Sequence, residues 1–287
     1  MPYATVADRQ LYYETSGRGT VDGTATVVFV GEAGLGPWQW AWQADALAGP
    51  FETVVPTTRG CGQADASSDA SDDSTGGATP STGSSHSGDP ANELEPDALL
   101  ADLDAVVSDA GVDEAHVVAA GLGGLLAVVA ARRRSWPERL VLLGTPPTGT
   151  RSSPEWVTGP SGDEDELRAA TTAALSDEFC ERQPDAVDQI VAWRAAEDAS
   201  PAERSRQVAA LSGLDATDWL YEVTNEALVV HGDADAVCPP DAGEQLAREL
   251  PRGEFSPVAD AGHLVGVEAS RLVNDRLHAF LGGADGY

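Results

Sequence analysis

The sequence predicts an α/β protein with a mostly parallel, doubly wound β-sheet. Three observations carry this prediction: short continuous apolar runs, helical patterns that alternate with them, and a length of 287 residues, which suffices for one large domain. Continuous apolar runs are typical of parallel strands that are buried on both faces. Alternation of such strands with helices implies a sheet covered by helices on both sides.

The strand predictions follow the chain in order. Residues 3–15 alternate enough between apolar and polar side chains to favour an antiparallel pair of strands at the start. Buried strands are predicted from continuous apolar runs at residues 24–31 and 52–56, and further strands are predicted at residues 115–120, 139–144, 227–232 and 254–258.

Helices are predicted where apolar residues recur at helical spacing. One such face consists of Leu99, Leu100, Leu103, Val106 and Val107. The final helix presents a face of Leu272, Val273, Leu277, Phe280 and Leu281, and Gly282 is its stop signal. Further helices are predicted over residues 122–133, 163–175, 184–198, 202–211 and 241–250.

We expect residues 1–287 to form a single domain with two additions. Residues 63–92 are mostly Ser, Asp, Gly, Thr and Pro, with almost no apolar side chains to bury. This composition predicts a disordered acidic insertion at the surface. Residues 146–225 lose the strand signal and carry helical stretches, which predicts a helical cap inserted between two strands of the sheet.

The charge balance is strongly acidic, with 47 Asp and Glu residues against 17 basic residues, all of them arginine, and a net charge of −30. A surplus of acid without lysine keeps a surface hydrated at high salt, so we expect a halophilic protein with an acidic surface. The alternative is an ordinary acidic protein. Because this charge repels phosphate backbones and anionic lipids, we expect no nucleic-acid partner and no membrane partner.

The chain carries no pattern of an exported or metal-binding protein. The N-terminal residues lack an export signal, and no apolar run approaches the ~18 residues of a membrane helix, so we expect a soluble, cytoplasmic protein. Cys61, Cys180 and Cys238 are too few and too widely spaced for a disulfide framework or a metal site. We therefore expect no metal and no cofactor, and the sequence leaves the oligomeric state open.

Three segments place residue types suited to hydrolytic chemistry in a meaningful order. A predicted strand–turn–helix at residues 117–131 has Gly121 at its turn, with the small residues Ala119 and Gly123 on either side. A later strand ends in a loop that contains Asp235, and a loop before the final helix contains His263. A tight turn, an acid and a histidine follow one another in this order in hydrolases that mount a serine on the turn.

On these residues the chain resembles the α/β-hydrolase superfamily, in particular its capped, esterase- and haloperoxidase-like members. The resemblance implies that Asp235 and His263 are the acid and base of a catalytic triad, and that Gly121 stands at the position of the nucleophilic serine. It also implies that the backbone N–H groups of Leu122 and Ala33 face the oxyanion. Glu32 follows Gly31 where relatives have His-Gly, so it introduces a carboxylate next to the oxyanion position.

These departures from the pattern predict that serine catalysis has been lost. Removal of a triad nucleophile slows the reaction by a factor on the order of a million. The resulting hypothesis is a degenerate hydrolase that retains a pocket for a small, uncharged or weakly polar ligand. The glycine also relieves a strained backbone position, so Gly121→Ser is expected to cost about 1–3 kcal/mol and to give weak esterase activity.

Two other functions remain open at this stage. In the first, the chain is an active hydrolase or lyase in which the His263–Asp235 pair acts as a general base without a covalent intermediate. In the second, the chain is a non-catalytic scaffold whose surface binds a protein partner.

Several residues have two interpretations on sequence alone. Glu32 is either a solvated loop carboxylate or a new pocket group, and Asp235 could simply cap the turn that follows it, with His263 bonded to it. Cys61 as a substitute nucleophile is disfavoured, because the resemblance places no histidine near it. The remaining candidates are expected to be structural or solvated: Arg132, Arg133 and Arg134 at a helix C-terminus, Trp38, Trp40 and Trp42 in packing, and His86, His116, His231 and His278.

Overall fold

A computed structural model describes residues 2–7, 9–17, 24–62, 94–160 and 163–282. The predicted insertion at residues 63–92 lies outside these ranges, as does His86. The described residues form one eight-stranded sheet. Its strands are β1 (Tyr3–Val6), β2 (Arg9–Ser16), β3 (Thr26–Val30), β4 (Glu52–Pro56), β5 (Ala115–Ala120), β6 (Pro137–Leu143), β7 (Glu226–Gly232) and β8 (Gly253–Val258).

The strand order across the sheet is β1-β2-β4-β3-β5-β6-β7-β8. The β1–β2 and β2–β4 pairs are antiparallel, and the pairs from β4 through β8 are all parallel. The predicted fold class, the antiparallel start and the six further strands are therefore confirmed, with ends that differ from the predictions by two residues at most. The strand β8 lies at the edge of the sheet, and Val258 is its one buried residue. The carboxyl ends of β3, β5, β6, β7 and β8 consequently lie along one edge, where ligands and catalytic groups collect in open α/β sheets.

The central strands are apolar throughout because both faces of the sheet are covered. In β3, Val28 and Val30 belong to the core cluster on one face, whereas Val27 and Phe29 belong to the cluster on the other. This burial on both sides explains why the sequence shows continuous apolar runs in these strands instead of alternation.

Eleven α-helices are present among the described residues. They are α1 (Ala41–Leu47), α2 (Pro96–Asp109), α3 (Gly121–Arg133), α4 (Glu155–Thr158), α5 (Glu164–Ala173), α6 (Asp177–Arg182), α7 (Pro184–Glu197), α8 (Pro201–Ser212), α9 (Pro240–Glu249), α10 (Val265–Glu268) and α11 (Ser270–Leu281). The predicted helices are confirmed with ends shifted by two residues or fewer. For α2 the sequence predicts only the apolar face, and for α11 it predicts the apolar face and the end at Gly282. The apolar face of α2 is buried as expected.

The sequence missed four helices and misplaced one side chain. Helices α1, α4, α6 and α10 have seven residues or fewer, which is too short for a helical period to be recognised. On the final helix, Leu272 was expected on the buried face but is 43% exposed, whereas its neighbour Val273 is fully buried. Adjacent residues on a helix point about 100° apart, so Val273 faces the core and Leu272 is turned away from it.

Helices α4 to α8 form a helical segment between β6 and β7 that packs on the carboxyl edge of the sheet. Gln207 of this segment accepts a hydrogen bond from the backbone N–H of Gly34, and Asp198 accepts one from the Trp38 indole. The carbonyl of Ala174 accepts a hydrogen bond from the backbone N–H of His263. The segment therefore covers the loops after β3 and β8, while its role as a cap stays a prediction.

Candidate active site

The turn between β5 and α3 begins at Gly121, whose φ is +51°. This is the left-handed region, which glycine occupies without the strain that a side chain brings. A Cβ added at Gly121 would overlap Oε2 of Glu32, and one added at Gly123 would overlap the carbonyl oxygen of Gly31. The small residues of this turn thus let the loop after β3 approach it closely.

Glu32 lies directly beneath this turn and is only 3% exposed. Its Oε1 accepts hydrogen bonds from the backbone N–H of Ala33 at 2.8 Å and of Leu122 at 3.1 Å. Its Oε2 lies 3.4 Å from Nε2 of His263. The interpretation of Glu32 as a solvated loop carboxylate is therefore wrong: the side chain is buried, and it holds both N–H groups that the resemblance assigns to an oxyanion.

The structure brings Asp235 and His263 together at the same edge of the sheet. Nδ1 of His263 lies 2.8 Å from Oδ2 of Asp235, while Oδ1 of Asp235 accepts hydrogen bonds from the backbone N–H of Val237 and Cys238. Asp235 therefore caps its own loop and also orients the histidine, while its role as a catalytic acid stays a prediction. Glu32, His263 and Asp235 form a continuous buried row, which we call the central triad.

Two further side chains belong to this network: His231, which the sequence analysis expects to be structural or solvated, and Trp156, which it does not name. His231 is fully buried in β7, and its Nε2 lies 2.9 Å from the carbonyl of Cys238 and 3.1 Å from Oδ2 of Asp235. Trp156, from the helical segment, meets the His263 ring edge-on, with ring centroids 5.5 Å apart. A signal for His231 was its position four residues before Asp235 at the end of a strand, whereas nothing in the sequence linked Trp156 to the site.

The carboxylates of the central triad control the protonation of His263. Burial by itself lowers the pKa of this histidine, but Asp235 and Glu32 on its two sides raise the pKa to about 10. At neutral pH the ring is therefore an imidazolium that donates to a carboxylate from each nitrogen. Burial by itself raises the pKa of the Asp235 carboxyl. His263 and His231 outweigh this effect and hold the pKa well below its usual range.

These shifts set the pH range over which the triad stabilises the fold. The pKa of His263 is raised above the ~6.5 of a free imidazole, so its contribution is complete below about pH 6.5 and is lost as pH rises through about 10. The pKa of Asp235 is lowered, so its contribution is complete above about pH 4 and is lost as pH falls further.

The pKa of His263 is expected to be lower in the Asp235→Asn variant than in the wild type. The substitution removes the negative charge that lies 2.8 Å from Nδ1 of His263. The Glu32 carboxylate then remains as the anion beside the ring. An NMR titration of the His263 ring in the two proteins measures the shift. Identical titration curves would contradict an electrostatic pairing of the two residues.

The space beside the central triad is small. A cavity of about 20 Å³ lies among Glu32, Gly121, His263, Trp40 and Val267. This volume holds about one water molecule. The expectation of an open pocket for a small ligand is therefore not met at this position, because the Glu32 carboxylate and the packed side chains fill it. A groove of about 500 Å³ lies next to it, and Val267 lines both spaces.

The other candidates occupy structural positions. Cys61 is buried, its thiol donates to the carbonyl of Leu35 at 3.5 Å, and burial raises its pKa, which makes it a poor nucleophile at neutral pH. Trp38 and Trp40 are buried in packing, and Trp42 packs edge-on against Trp193. The three arginines at the end of α3 each pair with a carboxylate: Arg132 with Glu222, Arg133 with Asp97 and Arg134 with Asp104.

Over the described ranges, no cluster of three or more His, Cys, Asp or Glu side chains is arranged to hold a metal ion. In the same part of the chain, no helix is both long and apolar enough to cross a membrane.

A mostly parallel sheet with an acid and a histidine after its last two strands defines the class of this protein. The chain belongs to the α/β-hydrolase fold family, whose sequence profile matches residues 27–270.

Its relatives include enzymes of several kinds. The chain is 32% identical over 251 residues to a pimeloyl-[acyl-carrier protein] methyl ester esterase from Aromatoleum aromaticum, a match that covers 80% of this chain and 87% of that protein. Among solved structures, it is similar to the enol-lactonase of Burkholderia xenovorans, with a TM-score of 0.79 at 20% identity over 98% of this chain and all of that one. It is also similar to a bromoperoxidase from Bacillus anthracis, with a TM-score of 0.77 at 18% identity over 98% and 99% of the two chains. These structural likenesses concern the fold.

Proposed function

We propose that this protein is degenerate as a serine hydrolase: it hydrolyses no ester through an acyl-serine intermediate, and the Glu32 carboxylate occupies the centre where that chemistry would take place. The observation that carries this proposal is the position of Glu32. Its Oε1 holds the N–H groups of Ala33 and Leu122, and its Oε2 fills the space of a side chain at position 121.

The energetics support a complete loss of serine chemistry. Loss of the triad nucleophile alone leaves a residual acceleration of roughly 10³–10⁴ over water, which comes from the oxyanion donors and substrate binding. Here the two donors are already bonded to a carboxylate, so a developing oxyanion would have to displace a negative charge from them. The esterase activity in the name of the Aromatoleum relative therefore does not transfer to this chain.

A general-base mechanism without a covalent intermediate is less well supported for the resting protein. A base must be unprotonated, whereas the pKa of His263 is raised to about 10 by its two carboxylate neighbours. Both ring nitrogens face a carboxylate, which leaves neither free to take a proton from water.

A serine-directed probe tests the proposed function. Wild-type protein in molar KCl is expected to show no labelling by a fluorophosphonate and no burst of p-nitrophenol from p-nitrophenyl acetate. An active serine esterase that tolerates the same salt serves as the positive control. Labelling of the wild type, or ester turnover that survives Cys61→Ala and disappears in His263→Ala, would overturn the proposal.

We also propose that the acidic surplus is an adaptation to salt. With a net charge of −30, the negative groups of the protein repel one another. Salt screens this repulsion, because the Debye length falls from about 10 Å at 0.1 M to about 3 Å at 1 M salt. The protein is expected to unfold or become molten at low ionic strength and to recover in molar KCl, which circular dichroism melting curves measure. An equal melting temperature at both salt concentrations would show that the surplus has another origin.

A further inference from the structure

We propose that this protein binds a quaternary ammonium ion with a hydroxyalkyl arm, such as choline, in a groove that lies apart from the central triad. The groove has a volume of about 590 Å³, which suits a small molecule, and it lies between β2, the start of α1 and the end of α7. Trp40 lines both this groove and the small cavity beside the central triad, so it lies between the two spaces. The groove is a second site, and ligand binding there does not depend on the proposed loss of serine catalysis.

Four aromatic side chains line this space, which we call the aromatic groove: Tyr12, Trp38, Trp40 and Trp193. Tyr12 and Trp193 are partly exposed, whereas Trp38 and Trp40 are buried. The face of an aromatic ring carries a negative partial charge, so it attracts a cation without a hydrogen bond. A quaternary ammonium group has no N–H to donate, and aromatic walls are therefore well suited to it.

Three carboxylates add negative charge to the aromatic groove, and no Lys, Arg or His side chain of the described residues lines it. Glu14 accepts a hydrogen bond from the Tyr12 hydroxyl at 3.1 Å, and Glu197 accepts one from the backbone N–H of Trp38 at 3.0 Å. The third carboxylate, Asp45, is exposed. Two of the three carboxylates are thus held beside aromatic residues, which places negative charge and ring faces in the same space.

Glu197 differs from its neighbour Asp198 in its charge compensation. Asp198 pairs with Arg194 at 2.9 Å, whereas Glu197 forms no ion pair with a cation in the part of the chain that the structure describes. Burial raises the pKa of Glu197, and the charges of Asp198 and Glu14 raise it further. A cation in the aromatic groove would offset this unfavourable charge, so ligand binding and ionisation of Glu197 favour each other.

The residues of the aromatic groove favour an organic cation over a metal ion. A metal ion needs several ligands that converge on one point, and no three His, Cys, Asp or Glu side chains within the described ranges converge in this way. A quaternary ammonium ion is larger, and it binds through ring faces and through charges that need not touch it. In molar KCl, potassium screens the carboxylates, and the rings then select the organic cation.

A buried hydroxyl group indicates the second polar group of the ligand. Thr57 lines the aromatic groove just after β4 and is only 3% exposed. Its backbone N–H donates to the carbonyl of Tyr12, but its Oγ1 has no hydrogen-bond partner among the described residues. Buried hydroxyl groups are normally hydrogen-bonded. A short hydroxyalkyl arm on the ligand supplies the partner that Thr57 lacks.

Calorimetric titration tests the site, with choline chloride replacing KCl at constant ionic strength. The control ligand is the uncharged carbon analogue of choline, in which a tert-butyl group replaces the trimethylammonium group. Choline is expected to bind at one saturable site and about tenfold more tightly than the analogue, because only the cation gains from the rings and the carboxylates. Equal affinity for the two ligands, or no saturable binding of choline, would overturn the inference.

Variants locate the ligand in the aromatic groove. Trp193→Leu removes one ring and Glu14→Gln removes one exposed carboxylate, and each is expected to weaken choline binding by a factor of about two to ten. Glu244→Gln removes an exposed carboxylate of α9, outside the groove, and should leave the affinity unchanged. Melting curves establish that the variants are folded, and Glu14→Gln decides alone if Trp193→Leu is not. Wild-type affinity in the folded groove variants would show that the ligand binds elsewhere and that the proposed site is wrong.

The Thr57→Val variant tests the contact with the hydroxyalkyl arm. Valine matches threonine in shape but has no hydroxyl group, so the variant should bind choline about two- to tenfold more weakly than the wild type. Tetramethylammonium has no hydroxyl group either, and it should bind both proteins equally. An unchanged affinity for choline, or an equal loss for both ions, would overturn the assignment of the hydroxyalkyl arm.

Discussion

The Glu32→Gly/Gly121→Ser double variant is expected to gain serine-type esterase activity. A fluorophosphonate is expected to label the introduced serine in this variant and to label neither single variant. A side chain at position 121 overlaps Oε2 of Glu32, so the serine needs the carboxylate to be absent. Removal of Glu32 also frees the N–H groups of Ala33 and Leu122 for an oxyanion. A triad nucleophile contributes on the order of 10⁶ to the rate, and we expect the introduced serine to recover a gain of at least about 10²-fold over the Glu32→Gly single variant, which has the freed donors but no nucleophile.

The single variants are the matched controls. Glu32→Gly frees the oxyanion donors but provides no nucleophile, so it should remain unlabelled. Gly121→Ser alone was expected from the sequence to give weak activity at a cost of about 1–3 kcal/mol. The structure corrects that expectation, because the new side chain meets a buried carboxylate and must expel it. We now expect this variant to be poorly folded, and efficient ester hydrolysis by it would contradict the observed position of Glu32.

The His263→Ala variant is expected to lose about 3–5 kcal/mol of stability at neutral pH, the second large effect. The substitution leaves Glu32 and Asp235 buried without the cation that lies between them, and removal of one partner of a buried ion pair typically costs this much. For a chain of this length the loss corresponds to a decrease in melting temperature of roughly 6–20 °C. Calorimetry in molar KCl measures it.

Two companion variants separate charge from packing. Adding Glu32→Gln to His263→Ala removes one uncompensated carboxylate and should recover part of the loss. His278→Ala deletes a histidine that stacks on Phe51, away from the contacts of the central triad, and should change stability less. If His263→Ala melts at the wild-type temperature, the central triad is not a stabilising ion cluster.

The sheet and the convergence of the site were predictable because they follow from local patterns. Continuous apolar runs indicate the parallel strands, and a parallel sheet places residues that follow its strands at one edge. That geometry brings Glu32, Gly121, Asp235 and His263 together from four separate segments.

The role of Glu32 was not predictable in the same way. A carboxylate after β3 can point to solvent or pack against the turn at the start of α3. Its direction depends on the space left by Gly121 and on two backbone N–H donors. One of those donors, Leu122, lies 90 residues further along the chain. The exposure of Leu272 has a similar origin, since it depends on which side of α11 faces the core.

The backbone amide protons of Ala33 and Leu122 provide the most direct test of the position of Glu32. Hydrogen bonds to a charged acceptor are shorter and stronger than those to a neutral one, so both amide protons should resonate at low field in the NMR spectrum of the wild type. In Glu32→Ala both should move upfield together, although Leu122 is distant in sequence. If the Leu122 amide proton keeps its shift in that variant, the Glu32 carboxylate does not occupy the centre of the site, and the proposed loss of serine catalysis loses its physical basis.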